Sequence, residues 1–258
     1  MEPLVSFETL QANLRGLSGV ELLRVWERAA EQPPARRALT LLSAGLPQVP
    51  SDQLELLSLG RRDACLLALR EKTFGPSLRG FQQCPECGGQ LEFTLATSDL
   101  RVEAPEANGG CEREVEVEEF TLRFRLLDSR DLEAILSIRD VKQARRALLA
   151  RCVLEARRAS ALVSVEELPA GVVSKLSICL LECDPQAEVV LNLDCPTCRS
   201  SIRAVFDIGS FLWAEIAAQA RHLLRQVHWL ATAYGWREDD ILALSAARRQ
   251  FYLEMIGR

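Results

Sequence analysis

Two stretches decide how this chain is built: QQCPECGGQLEFTLAT, residues 82–97, and AEVVLNLDCPTCRSSIRAVFDI, residues 187–208. Each holds a Cys-Pro-x-Cys turn, Cys84 to Cys87 and Cys195 to Cys198, set in sequence that reads as strand. Two-residue spacing lets both thiolates of a pair reach one ion, and the tight turn aims backbone N–H groups at the sulfurs. Gly88 and Gly89 ease the first turn. Two such hairpins make the four-thiolate tetrahedron of a zinc ribbon, and soft sulfur favours zinc over magnesium or calcium. Cys84, Cys87, Cys195 and Cys198 are therefore expected to hold one structural zinc. Four thiolates leave no position for water, so the expected role is shape and not hydrolysis. Two other readings stay open: each pair acting separately across an oligomer, and redox-active CxxC motifs or no metal. A thioredoxin-type CxxC opens a helix, whereas these open into strands.

The gap is unusual, since residues 88–194 lie between the pairs where an ordinary ribbon has about 15 to 20. Loop closure grows only logarithmically, so even a floppy segment of that length costs about 1.5 kcal/mol more than one of about 20 residues. Structural zinc contributes on the order of 10 kcal/mol, so closure does not forbid a shared site. The gap also has the pattern of a folded insert. EVEVEEFTLRFRLL alternates from Glu114 as a strand does, Asp128 or Ser129 can cap RDLEAILSI, and VKQARRALLARCVLEARR reads as helix. A further helix runs from near Pro169 to Cys183, and Asp184-Pro185 ends it.

Outside the cysteine stretches the chain reads as helix. VELLRVWERAA, ARRALTLLSAGL and SDQLELLSLGRRDACLLALREKTFG are separated by prolines, the last holding a short helix and then a longer one after Gly60. The clearest helix is C-terminal: Phe211, Leu212, Ile216, Leu223, Val227, Leu230 and Tyr234 fall on or near one face, and Gly235 is placed to end it left-handed. Two shorter helices follow, the second capped by Ser245. The fold class is α+β, mainly helical, with a split four-cysteine zinc ribbon of β-hairpins interrupted by a mixed β/α insertion. The regions are 1–75 (N-terminal helices), 76–100 (first half-ribbon), 101–186 (insert), 187–208 (second half-ribbon) and 209–258 (C-terminal helices).

Composition narrows the function. At 258 residues and 48% apolar content the chain can bury a core without disulfides. Nine cysteines are an odd number at low density, which fits a reducing compartment. The opening MEPLVSFETLQANLRGL has no basic region before an apolar block, and no apolar run approaches the roughly 18 to 20 residues of a membrane span. A cytoplasmic location is expected, with no membrane partner. A net charge of -5, with basic residues interleaved among acidic ones, argues against nucleic acid. No GxSxG, glycine-rich phosphate loop or HExxH is present, so neither catalysis nor a small-molecule substrate is expected. His222 and His228, six apart on one helix, point to different faces. Cys65, Cys152, Cys179 and Cys183 read as core thiols, and Cys111 as a loop residue. Arg248 and Arg249 beside Phe251 and Tyr252 have the composition of a binding hot spot, the bland alternative being a terminal helix packing its aromatics inward.

LGRRDACLLALREKTFGP, the split CPxC pairs and the tail FDIGSFLWAEIAAQARHLLRQVHWLATAYGWREDDILALSAARRQFYLEMI together resemble a family of phage baseplate proteins of the T-even type. Relatives of that family also occur in gene clusters of phage-like contractile injection systems. The resemblance covers roughly residues 59–256 and is most specific in the tail, where Ala246 stands in place of an expected proline. It implies a baseplate or tail-assembly protein, as hub component or assembly chaperone, whose partners are other baseplate, spike or tape-measure proteins. The docking residues it suggests are Trp213, Trp236, Arg248, Arg249 and Tyr252. A zinc-ribbon adaptor in transcription or nucleic-acid handling is the alternative.

Overall fold

A computed structural model describes residues 6–102, 112–159 and 161–257; Cys111, expected in a loop, lies outside them. Five helices come first: α1 (Phe7–Asn13), α2 (Gly19–Ala29), α3 (Pro34–Gly45), α4 (Ser51–Glu55) and α5 (Leu59–Phe74). Their starts are written in the sequence, since Ser18 and Glu21 form a reciprocal capping box on α2 and Ser58 caps α5 through the Arg61 N–H. Residues 65–70 of α5 are all buried, so this helix is apolar nearly all round and lies at the centre. Leu66, Leu67 and Leu69 there meet Leu41 and Leu42 of α3 and, from the C-terminal region, Leu212, Ile216 and Leu223.

From Gly75 the chain turns into β1 (Ser77–Gln83) and β2 (Gln90–Ala96), an antiparallel hairpin in register from Ser77↔Ala96 to Gln83↔Gln90. The insert then adds β3 (Glu112–Val117), β4 (Phe120–Arg125), α6 (Ser129–Ala134), α7 (Val141–Cys152), β5 (Val153–Arg158), β6 (Ala161–Leu162) and α8 (Ala170–Cys183). It has its own four-stranded sheet, ordered β3-β4-β5-β6, and its own core around Phe124, Leu122, Val172 and Leu176. The second hairpin is β7 (Val189–Asp194) with β8 (Ser201–Phe206). It runs straight into α9 (Ile208–Tyr234), whose first turn is capped by Asp207 and whose end is Gly235 at φ 69°. Two helices, α10 (Glu238–Ala243) and α11 (Ala246–Met255), fold back to enclose Val227, Leu230, Ile241 and Leu253. Ser245 caps α11 as the sequence implies.

The insert departs from the sequence reading in two places. Residues 114–125 form a hairpin and not one strand, because the chain reverses at Glu118, which sits at φ 57° with neither Gly nor Asn to signal it. VLEARR, expected as the continuation of α7, is strand β5: the helix stops at Cys152, and Val153 and Ala156 turn inward against β4. Covering the edge of β4 beside buried Leu122 and Phe124 outweighs the helix propensity of Leu, Glu and Arg.

The insert docks on the start of α5. The Leu59 N–H donates to the Leu127 carbonyl, and Ser58 bridges Asp128. Buried Asp184 accepts from the Gly60 N–H at 2.8 Å and from the Ser58 hydroxyl at 3.0 Å. Its neck is tied by Gln186, whose amide donates to the Leu100 carbonyl while its oxygen accepts from the Val102 N–H. Entry and exit thus leave the helical body side by side. No helix among the described residues is long and apolar enough to cross a membrane.

Candidate metal centre

The two CPxC turns are the same knuckle built twice. In the first, the Gly88 N–H donates to the Cys84 carbonyl at 2.9 Å and the Cys84 N–H to the Gly89 carbonyl at 2.8 Å; in the second, Arg199 donates to Cys195 at 2.8 Å and Cys195 to Ser200 at 2.9 Å. The residue after the second cysteine of each is left-handed: Gly88 at φ 70° and Arg199 at φ 62°. Only the first has the glycine that this conformation favours.

The hairpins bring all four thiols together. Cys84 Sγ lies 3.6 Å from Cys198 Sγ and Cys87 Sγ 3.7 Å from Cys195 Sγ, and all four sulfurs fall within 4.8 Å of one another. A tetrahedral ion with metal–sulfur bonds of about 2.3 Å sets its ligands about 3.8 Å apart, so the quartet fits zinc. Among the described residues no other Cys, His, Asp or Glu group gathers in this way. Buried Cys84 and Cys195 back onto Leu91 and Ile202, while Cys87 and Cys198 face solvent.

The electrostatics fit a cation as well. The Ser200 hydroxyl lies 3.0 Å from Cys198 Sγ and 3.4 Å from Cys84 Sγ. That hydroxyl, with the backbone N–H groups of Cys87 and Glu86, pulls the Cys84 thiol down to about 6, and Ser200 lowers Cys198 too. At Cys87 the Gly89 N–H acts downward, but the sulfurs of Cys198, Cys195 and Cys84 together with desolvation outweigh it and push the thiol up to about 12. Crowded thiolates repel, and a divalent cation among them removes that repulsion.

One buried side chain places both knuckles. Arg70 of α5 donates through Nη1 to the Gly75 carbonyl at 2.6 Å and through Nη2 to the Ser77 carbonyl at 2.7 Å, fixing where β1 begins. The same guanidinium pairs with Glu215 of α9, Nε to Oε2 at 2.9 Å and Nη2 to Oε1 at 2.7 Å. Since β8 leads directly into α9, Arg70 links the supports of the two half-sites. Sequence reading missed Arg70, Glu215 and Ser200; the one available signal was an arginine inside the apolar run CLLALRE.

The other singled-out residues lie elsewhere. Trp213 is half-buried on the main core under the Arg37 guanidinium, 4.4 Å from the ring centre. Trp236 stacks on Tyr234 at 4.7 Å and meets Tyr252 edge-on. Arg249 is buried, donating to Gln226 Oε1 and the Leu244 carbonyl, and Arg248 is exposed. Of these five residues, only Arg248 is exposed. Cys65 and Cys152 are fully buried, and burial pushes their thiols up to about 12 and about 11.

The family model described as T4 bacteriophage base plate protein matches residues 39–213, more than half of the chain. The chain belongs to that family. The matched stretch takes in α5, both hairpins and the whole insert of this baseplate protein, ending inside α9. Most of the tail, where the sequence resemblance is most specific, lies beyond it. No curated protein and no solved structure matches the chain.

Proposed function

We propose that this baseplate protein is a non-enzymatic component of a phage-like contractile injection system, a hub component or assembly chaperone, that works through protein–protein contacts and holds one structural zinc on Cys84, Cys87, Cys195 and Cys198. The observation that carries the zinc assignment is the sulfur quartet within 4.8 Å at the tips of two hairpins rooted in different parts of the chain. Zinc bound there supplies a cross-link and neutralises the thiolates. The chain's own groups do the rest: Ser200 and the knuckle N–H groups hold the sulfurs, Leu91 and Ile202 close the inner side, and Arg70 ties the supports of the two hairpins together. Family membership supports contacts with other baseplate components. On α11, exposed Arg248, Phe251 and Met255 follow one face outward and are the contact stripe the tail offers.

Two measurements test the proposal. Protein purified without chelator should contain one zinc per chain by elemental analysis, and Cys84→Ser or Cys195→Ser should carry well under one and lose solubility. Co-expression with neighbouring hub, spike and tape-measure products should yield a stable complex. Failure of zinc-loaded, folded protein to capture any of them sinks the assembly role.

A further inference from the structure

The insert carries a groove that its own fold does not use. Helices α7 and α8 both cover the insert core, α7 resting on α6, β5 and the turn at residues 165–167 and α8 on β3. Between them lies a groove of about 1000 Å³. Its floor is apolar, with Leu149 and Leu168 buried and Val173 half-buried. Its α7 wall is basic: Lys142, Arg145 and Arg146 all line it, all exposed, and Glu166 is the one acidic residue facing them. Arg145 is held by the Ser177 hydroxyl at 2.9 Å. Among the described residues, Lys142 and Arg146 have no carboxylate partner.

An apolar floor beside an uncompensated cationic wall selects its occupant by charge. A trough between two helices is shaped for a third helix, with apolar residues at i, i+3 or i+4 and i+7 on the floor. Lys142 and Arg146, one turn apart, set the pitch at which carboxylates on that helix would meet them. We infer that the α7–α8 groove docks an acidic amphipathic helix of a partner protein. The inference rests on the docking role proposed above and locates one contact within it. Nucleic acid is the rival occupant of a basic surface, but the groove's floor is aliphatic and carries no aromatic ring on which a base could stack.

The test uses the full zinc-loaded chain and two labelled 18-residue helical peptides that share a leucine face, one flanked by glutamates and one by lysines. Fluorescence anisotropy should show the glutamate peptide binding in a salt-sensitive way, about tenfold or more weaker to Lys142→Glu/Arg146→Glu, with preference reversing to the lysine peptide. Both substituted side chains are exposed, so thermal midpoint and zinc content should not change. Equal binding of the two peptides, no binding of either, or indifference to the double substitution overturns the proposal. So does tight binding of a 20-nucleotide single strand where the glutamate peptide fails. Co-expression capture is read separately. If the double variant still captures every baseplate partner, the groove is wrong and the docking role stands; if the peptides behave as expected but no baseplate component is captured, the groove stands and the assembly role falls.

Discussion

Arg70 and Glu215, one on α5 and the other on α9, meet in a two-pronged ion pair whose arginine is only 3% exposed and also holds the carbonyls of Gly75 and Ser77. Four acceptors on two sides of one side chain are what a planar guanidinium with five N–H donors satisfies and an ammonium with three does not. Glu215→Ala strands a buried cation, and about 3 kcal/mol of stability should be lost in urea titrations. Arg70→Lys keeps the charge but cannot reach all four oxygens, so it should also lower stability, together with zinc affinity in a chelator competition. A stability loss below about 1 kcal/mol in both variants contradicts this placement of the hairpins.

The two knuckles give a backbone test of opposite sign. Gly88 at φ 70° has no atom nearer than 4.0 Å to an added Cβ, so Gly88→Ala probes conformation alone and should cost about 1 kcal/mol. Arg199 already bears that strain at φ 62°, so Arg199→Gly should gain about 0.5 kcal/mol after the glycine's larger unfolded-state entropy is subtracted. Thermal midpoints of the zinc-loaded variants check both, and equal signs refute the knuckle symmetry.

Much of this architecture was legible because it is local. CPEC and CPTC name the four sulfurs that gather, Gly235 marks the end of α9, and Asp128 and Ser245 are caps set by their own next turn. What was not legible depends on groups far apart in sequence. Val153 pairs with Phe124, Asp184 meets Gly60, Ser200 meets Cys84 and Arg70 meets Glu215; none of these contacts has a local signature. Strand β5 was misread for that reason, since its leucine, glutamate and arginine favour helix until β4 offers an edge. Arg249 meets Gln226 and Tyr252 joins Tyr234 and Trp236 through partners distant in sequence, so their packing has no local signature either.

Gly60 should be intolerant of any side chain. A Cβ there would lie 2.1 Å from Asp184 Oδ1, so Gly60→Ala must displace the carboxylate that ties the insert to α5. A loss of about 2 kcal/mol is expected. Limited proteolysis should speed up in the insert before the helical body is cut, and an unchanged cleavage order refutes this account of the docking.

Two carboxyls should oppose each other in the pH dependence of stability. Burial, against the pull of Arg62, raises Asp63 to about 6. The unfolded chain ionises Asp63 near its ordinary value of 3.8. Between there and about pH 6 the folded state holds the extra proton, so this contribution is fully present below pH 3.8 and is lost as pH rises through 6. Glu21 behaves oppositely: the hydrogen bond from Arg15 lowers it to about 2, so its contribution is present above pH 4.5 and is lost as pH falls through 2. Asp63→Asn should flatten the stability profile between about pH 4 and 6, and Glu21→Gln should flatten it below 4.5. An unchanged slope in either window removes the corresponding assignment.

Metal removal should loosen the hairpins and spare the helices. Leu91 and Ile202 beside the thiols form a small apolar cluster of their own, whereas the core of α3, α5 and α9 is large and continuous without them. The hairpins are each only two strands wide, and isolated hairpins are marginal in water. A strong chelator should therefore lower the midpoint of thermal unfolding while far-ultraviolet dichroism keeps most of its helical signal. Amide hydrogen exchange should accelerate in β1, β2, β7 and β8 and hold steady in α5 and in the first half of α9. Readdition of zinc should restore protection, and Cys152→Ala, which alters a buried thiol of the insert core, should leave the chelator response unchanged. Uniform acceleration across α5 and α9 would mean that the sulfur quartet supports the whole helical body and not only the two knuckles.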